Sequence, residues 1–328
     1  MSLASVFRDG TLPSWRRPDP SGEKFALLGA EHIEGNLGPN HGLRESITTM
    51  RRVIKQLRPT VVHSHLSYAD VIAALTKARG TRLVTTEHGI ADNDLVYHGS
   101  AARSRIAARF HSLRMRRLDA FVAVSEATLR VAEKKWVLPK SLYRTVVYNG
   151  VDRPDEVTSH PGLRIASLAR FAPEKRLDRL VEAFASVAAE HPQAHLTLAG
   201  IGPLHQEITA QVQALGLGSQ VSLPGYVDAG QLLLESDVVA QLSVFENCSY
   251  SLLDAVAYGL GVVATPVGGN PEILPKGSLV DADDTQRVAD TLLTQGLDPT
   301  ARPRLSSDWP TVSEMTHKLA DVYERIAR

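Results

Sequence analysis

Two positive side chains five positions apart, Arg170 and Lys175, follow the apolar run 165–169. Their place is a loop at the carboxyl end of a strand, where open α/β sheets bind ligands. A guanidinium offers a hydrogen-bonding fork and an ammonium a point charge, so together they suit a diphosphate. Further on, Glu246-Asn247-Cys248-Ser249-Tyr250-Ser251-Leu252-Leu253-Asp254 sets one acid at the end of a strand-like run and a second eight positions later. Ser249 or Ser251 can cap the helix that follows, and Ser251 with Asp254 fits a capping box. The N–H groups of that helix start, helped by its dipole, would face a bound diphosphate. Asp254 could then reach a ribose hydroxyl. In 264–272 the paired glycines Gly268 and Gly269 let backbone approach a ligand closely, with Glu272 after them. Each feature alone has a plainer reading: a solvated cation pair, a capped helix, a strand-to-helix turn.

The elements that must carry these residues alternate in type. Short β-branched runs at 60–63, 82–86, 120–124, 145–148, 164–168, 195–199, 221–223, 238–242 and 261–265 are separated by amphipathic stretches. Leu43–Leu57 has apolar residues at Leu43, Ile47, Met50, Ile54 and Leu57, and 177–189 repeats the spacing, both helical. Near-continuous apolar strands between helices predict parallel sheets covered on both faces. The polar stretch Asp152-Arg153-Pro154-Asp155-Glu156 marks a boundary. We expect an N-terminal Rossmann-like domain over 1–152, a second over 153–310, and a C-terminal helix over 311–328 that crosses back to the first. The N-terminal domain is expected to lack its opening strand, glycine-rich loop and helix. Residues 3–7 could form a strand, but a polar, Pro-rich stretch follows and no amphipathic helix precedes Leu43.

Composition narrows the class. The chain has 328 residues, 43% hydrophobic and 22% charged, which suits two globular domains. Lys plus Arg equals Asp plus Glu at 36 each, so net charge offers no argument for nucleic acid. The lone Cys248 cannot form an internal disulfide, and no apolar run approaches a membrane span. The start lacks the order of a signal peptide. The expected location is cytoplasmic.

The three features, in order, resemble the family-4 retaining glycosyltransferases. That family has a G-R-L-x-x-x-K-G loop, an E-x₇-E segment and a T-x-x-G-G-x-x-E turn. The resemblance extends to Tyr148-Asn149-Gly150-Val151-Asp152, to Ala199-Gly200-Ile201-Gly202-Pro203, to Leu223-Pro224-Gly225-Tyr226-Val227, and to Thr86-Glu87-His88-Gly89 at a strand end. It implies the GT-B fold, two Rossmann-like parallel-sheet domains facing across a cleft. It implies transfer of a sugar, with retention, from a UDP- or GDP-sugar to a hydroxyl of a glycan, glycolipid or small molecule, without a cofactor or metal. In these terms Arg170 and Lys175 neutralise the departing diphosphate, Glu246 sits beside the sugar, and His88 bonds the sugar or leaving phosphate. Asp254 holds the ribose, and Ser249, Tyr250, Ser251, Gly200, Gly202, Tyr226, Gly268, Gly269 and Glu272 line the donor site. Three departures stand out: Asp254 where the family has Glu; Ala169-Arg170-Phe171 where it has Gly-Arg-Leu, with Arg176 for the glycine after Lys175; and, the largest, no visible counterpart of the family's opening glycine-rich loop. A nucleotide-sugar-binding partner or inactive remnant, and a GT-B epimerase, are the competing functions.

Three further readings concern smaller groups. Arg103, Arg105, Arg109, Arg114, Arg116 and Arg117 lie in a stretch without an acid, with Ile106, Phe110 and Leu113 as an apolar stripe. Such a helix could touch anionic membrane at the inner face of the cell membrane. The rings of His63 and His65 are expected to point apart, against a shared metal. Cys248 is expected to be a small packed residue beside the loop, though its place near a helix start could lower its thiol pKa.

Overall fold

The computed structural model describes residues 3–5, 41–65, 67–90, 111–154 and 160–328. The chain divides into two compact units. One comprises Met1–Tyr148 with Glu314–Arg328; the other is Asn149–Ser313.

The first unit carries five parallel strands in chain order, β1 (Leu3–Ser5), β2 (Val61–Ser64), β3 (Arg82–Glu87), β4 (Ala120–Ala123) and β5 (Tyr143–Val146). Helix α1 (Leu43–Leu57) precedes β2, α2 (Ser67–Thr76) joins β2 to β3, and α3 (Glu126–Lys135) joins β4 to β5; residues 111–115 are also helical. The opening strand expected to be missing is therefore present: Leu3 to Ser5 pair with Val61 to His63. Leu3-Ala4-Ser5 has no β-branched residue, and its strand form comes with the parallel ladder to β2. The expected gap in the loop and helix after it falls on residues outside those described.

Alternation along these strands sorts side chains to two faces. Val62, Leu83, Phe121 and Ala123 join Met50 and Ile54 of α1 and Ile72 and Ala73 of α2 in one core. Val61, Val84, Ala120 and Val122 face the other way.

The second unit begins with β6 (Arg164–Leu168), a 3₁₀ turn (Pro173–Lys175), α4 (Leu177–Glu190), β7 (His195–Ala199), α5 (His205–Ala214), β8 (Val221–Gly225) and α6 (Ala229–Leu234). It continues through β9 (Val238–Gln241), α7 (Tyr250–Ala257), β10 (Gly261–Ala264), α8 (Asn270–Ile273) and α9 (Thr285–Leu297). Helix α4 buries Leu177, Leu180, Val181, Phe184 and Val187 on one stripe, each contributing about 1.5–3 kcal/mol by leaving water. The parallel sheet has the order β10-β9-β6-β7-β8. The chain thus leaves central β6 toward β7 and β8, then returns to place β9 on the opposite side. Loops leaving β6 and β9 diverge, and the crevice between them is the topological switch point where such sheets bind ligands. The last helix, α10 (Val312–Ala327), brings Val322 and Tyr323 onto the Val61–Val84–Ala120–Val122 face of the first unit.

The neutral total hides a strong partition. Of 36 basic residues 26 lie in the first unit, against 16 of the 36 acids, a net of +10 (26 − 16). The second unit holds the remainder, a net of −10 (10 − 20).

Candidate functional site

In the second unit the sequence features meet at the switch point. Arg170 and Lys175 sit on the loop after β6, and Glu246 on the loop after β9. Lys175 Nζ donates to Glu246 Oε1, and both side chains are largely sheltered, at 22% and 15% exposure. Arg170 bonds Glu174 four residues on, and its side chain is 66% exposed, so an incoming anion can reach it. The two loops are tied by Val244 N–H donating to the Glu174 carbonyl at 2.8 Å. Glu174 is a member the sequence reading missed; its spacing of four from Arg170 was the available signal.

Glycines bring the neighbouring loops close. Gly268, after β10, has φ +53°, and a Cβ there would lie 1.6 Å from the Glu246 carbonyl oxygen. Gly200, after β7, has φ +139°, and its Cβ would lie 1.9 Å from the Ala169 carbonyl oxygen. Only glycine permits either approach. Gly202 packs against the Phe171 backbone in the same way. Arg176 shows why the family favours glycine after the lysine: its φ of 49° is left-handed, which costs a side-chain-bearing residue about 1–2 kcal/mol. Its guanidinium donates to Asp283 at 2.6 Å.

Ser249, rather than Ser251, caps α7: its Oγ accepts from Leu252 N–H and from Gln241 Nε2 at 2.9 Å. Buried and so engaged, Ser249 holds the helix start in place. Tyr250 and Ser251 are half-buried at that start, and Asp254 lies half-buried one turn further along α7. Gly269 precedes α8, Glu272 lies within it, and Tyr226 after β8 is 51% exposed. Thr265 Oγ1 donates to the Ser243 carbonyl at 2.6 Å, joining the turn after β10 to the loop after β9. Cys248 is buried, and burial pushes its thiol up to about 12 against a backbone hydrogen bond from Asn149. The packed reading of Cys248 holds and the alternative of a lowered pKa does not, because desolvation of a thiolate outweighs the nearby helix start.

His88 belongs to the first unit, directly after β3. Its Nε2 lies 3.0 Å from His65 Nδ1, and the rings stack at 5.3 Å. His88 is exposed by surface area although protein crowds it; packing around the ring and His65 hold its pKa below the ordinary value. His63 and His65 do not point apart: their ring centroids are 4.2 Å apart. Positions two apart on an extended chain share a face, and the expectation misapplied that period. His63 bonds Thr86 Oγ1 at 2.7 Å and Tyr323 Oη at 2.6 Å, so both its nitrogens are engaged. Burial drives its pKa down to about 2, with His65 and His88 adding to the shift.

The arginine cluster is corrected as well. Arg114 is buried, bonded to Asp70 and Glu87, and belongs to no solvent face. Arg116 and Arg117 are exposed, as is Leu113 at 56%. Arg103, Arg105, Arg109, Ile106 and Phe110 lie outside the described residues. Among the described residues no helix is long and apolar enough to cross a membrane.

Comparison with known proteins defines the class first. The structure of Anabaena Alr3699/HepE in complex with UDP-glucose matches with a TM-score of 0.73 at 19% identity, over 94% of this chain and 90% of that one. Sucrose-phosphate synthase from Thermosynechococcus elongatus matches with a TM-score of 0.73 at 16% identity, over 90% and 84%. The fold is GT-B. The family model for glycosyl transferases group 1 matches residues 152–307, and that for glycosyltransferase family 4 matches residues 14–153. The chain belongs to the family-4-like GT-B glycosyltransferases. Among curated relatives, a human phosphatidylinositol N-acetylglucosaminyltransferase component is 24% identical over 73% of this chain and 50% of its own. N-acetyl-alpha-D-glucosaminyl L-malate synthase of Bacillus anthracis is 29% identical over 74% and 66%. The chain spans half to two thirds of the length of these relatives.

Proposed function

We propose that the chain transfers a sugar from a UDP-sugar to an acceptor hydroxyl with retention of anomeric configuration. The observation that carries the reading is the meeting of Arg170, Lys175 and Glu246 at the switch point, under glycine loops that admit a backbone-close ligand. As the sugar–phosphate bond breaks, negative charge collects on the departing diphosphate. Arg170 and Lys175 would neutralise it, in the role that a divalent cation fills elsewhere, so no metal is required. Lys175 would exchange its contact with Glu246 for the phosphate, freeing that carboxylate to hold hydroxyls of the sugar. The start of α7 would face the phosphates and Asp254 the ribose. Asp254 is one methylene shorter than the Glu of the family. His88 would bond the sugar or the leaving phosphate. The acceptor enters on the face the diphosphate leaves, and the phosphate can take its proton.

The curated relatives favour N-acetylglucosamine as the sugar, and their named acceptors, phosphatidylinositol and malate, are both anionic. The +10 charge of the first unit suits an acceptor of that kind. It also supports peripheral contact with anionic membrane, through Arg116 and Arg117 and the exposed Arg51, Arg52, Lys55 and Arg58. The experiment is to incubate the protein with UDP-N-acetylglucosamine and phosphatidylinositol or malate and read the product anomer by NMR. Retained α configuration is expected; a β product sinks the mechanism. An epimerase would convert the donor without any acceptor, and an inactive remnant would bind it without turnover. Equal binding to anionic and neutral vesicles would remove the membrane contact.

A further inference from the structure

One buried charge network has no part in the chemistry above. Arg114, on the helical segment 111–115, donates through one nitrogen to Asp70 of α2 and through the other to Glu87 Oε2 at 3.1 Å. Thr85 Oγ1 donates to Asp70 Oδ1 at 2.7 Å. The guanidinium lies over the Trp136 ring, 5.1 Å from its centre, and His111 stacks on the same ring at 4.7 Å. Arg114, Asp70 and Glu87 are all buried, at 4%, 1% and 5% exposure. Burying ions costs several kcal/mol each, and apolar residues often serve stability as well or better. The network's geometry points to placement. Glu87 ends β3, and its other oxygen, Oε1, accepts from the Gly89 N–H at 3.2 Å. That bond closes a turn whose middle residue is His88.

We propose that Glu87 is a positioning residue for His88: Arg114, anchored by Asp70, clamps the Glu87 carboxylate so that its free oxygen fixes the backbone on either side of His88. The ring of His88 is then oriented by His65 from β2's end. Two carboxyl groups share the single charge of Arg114, and burial pushes Glu87 up to about 7, opposed by the Gly89 N–H. Among the described residues, the ionisable groups joined to Glu87 are Arg114 of the helical segment, through it Asp70 of α2, and the chain neighbour His88, with His111 stacked on Trp136 beside Arg114. The consequence for transfer rests on the reading that His88 contacts the donor; the positioning itself does not.

The test uses the full chain with ¹⁵N-labelled histidine, read by NMR from pH 5.5 to 9. The His88 ring signals should move once, near pH 7, as Glu87 titrates, while the ring itself stays neutral. Glu87→Gln should abolish that inflection. UDP release from UDP-N-acetylglucosamine should fall roughly tenfold in kcat with the donor KM within about twofold, as expected for a misplaced group rather than a lost binding contact. Arg114→Lys keeps the charge but loses the fork, and should lower kcat in the same sense. No inflection in the wild-type His88 signals, or a folded Glu87→Gln protein with wild-type signals and rates, overturns the proposal. His88→Asn separates the two readings: full turnover there would refute the role of His88 and leave the NMR result standing.

Discussion

Gly268→Ala tests how tightly the candidate site is built. A Cβ at position 268 would lie 1.6 Å from the Glu246 carbonyl oxygen, whereas real Cβ contacts essentially never fall below 3.0 Å. The two backbones must therefore separate by at least 1.4 Å, the difference between 3.0 and 1.6. Neither is a flexible side-chain end, so the strain falls on the loop that carries the Lys175–Glu246 pair. The left-handed φ of +53° adds about 1–2 kcal/mol for any residue bearing a Cβ, and overpacking adds about 1–3 kcal/mol. A loss of about 2–5 kcal/mol lowers the melting temperature of a unit of this size by roughly 5–15 °C. A displacement beyond 1 Å at a positioning loop costs on the order of 100-fold in rate. Thermal unfolding followed by circular dichroism gives the first quantity, and UDP release from UDP-N-acetylglucosamine the second. Gly277→Ala is the control: no atom lies within 4 Å of its Cβ and its φ is ordinary, so it should change little. Melting within about 2 °C of wild type together with full turnover in Gly268→Ala would refute the close-approach argument.

Other perturbations follow from the same contacts. Arg170→Ala and Lys175→Ala should each lower turnover by roughly 100-fold or more while the protein stays folded; near-normal rates in both would remove the leaving-group mechanism. His63 is held to about 2 in the folded chain, far below its ordinary value, so the unfolded chain binds the extra proton as pH falls below about 6.5. Its contribution is thus whole above that pH and erodes below it, by about 2 kcal/mol between pH 7 and 5. Urea unfolding of His63→Gln should show a correspondingly shallower loss over that range, and an unchanged slope would contradict this. Cys248, buried and pushed up to about 12, should resist iodoacetamide at pH 8 until the chain is unfolded; rapid labelling of the native protein would count against its assigned burial.

Much of the second unit was legible because its candidate site is assembled from local patterns. The strand at 164–168, the cations after it, the acid after β9 and the glycines after β10 are each short-range patterns, and parallel topology brings successive strand ends to one edge. What the sequence withheld was partnership. Arg114 sits among other arginines at helical spacing, and nothing local distinguishes a buried cation from a solvated one. Its partners Asp70 and Glu87 lie 44 and 27 residues away. The choice of Ser249 over Ser251 as cap depends on Gln241, another strand's end. β1 was obscured by its brevity, since three residues carry little periodic signal. Arg176 hid the left-handed turn because the residue type disguised the backbone need. His63 and His65, two apart on an extended chain, share a face, and their rings lie 4.2 Å apart.

The central claim is that Arg170 and Lys175 hold a diphosphate. Calorimetric titration of UDP into the wild-type chain and into the Arg170→Ala/Lys175→Ala double variant addresses it without knowledge of the acceptor. Losing charge-assisted bonds worth about 1.5–3 kcal/mol each should weaken binding by at least roughly 100-fold. UDP binding of equal strength in the two proteins would contradict the account.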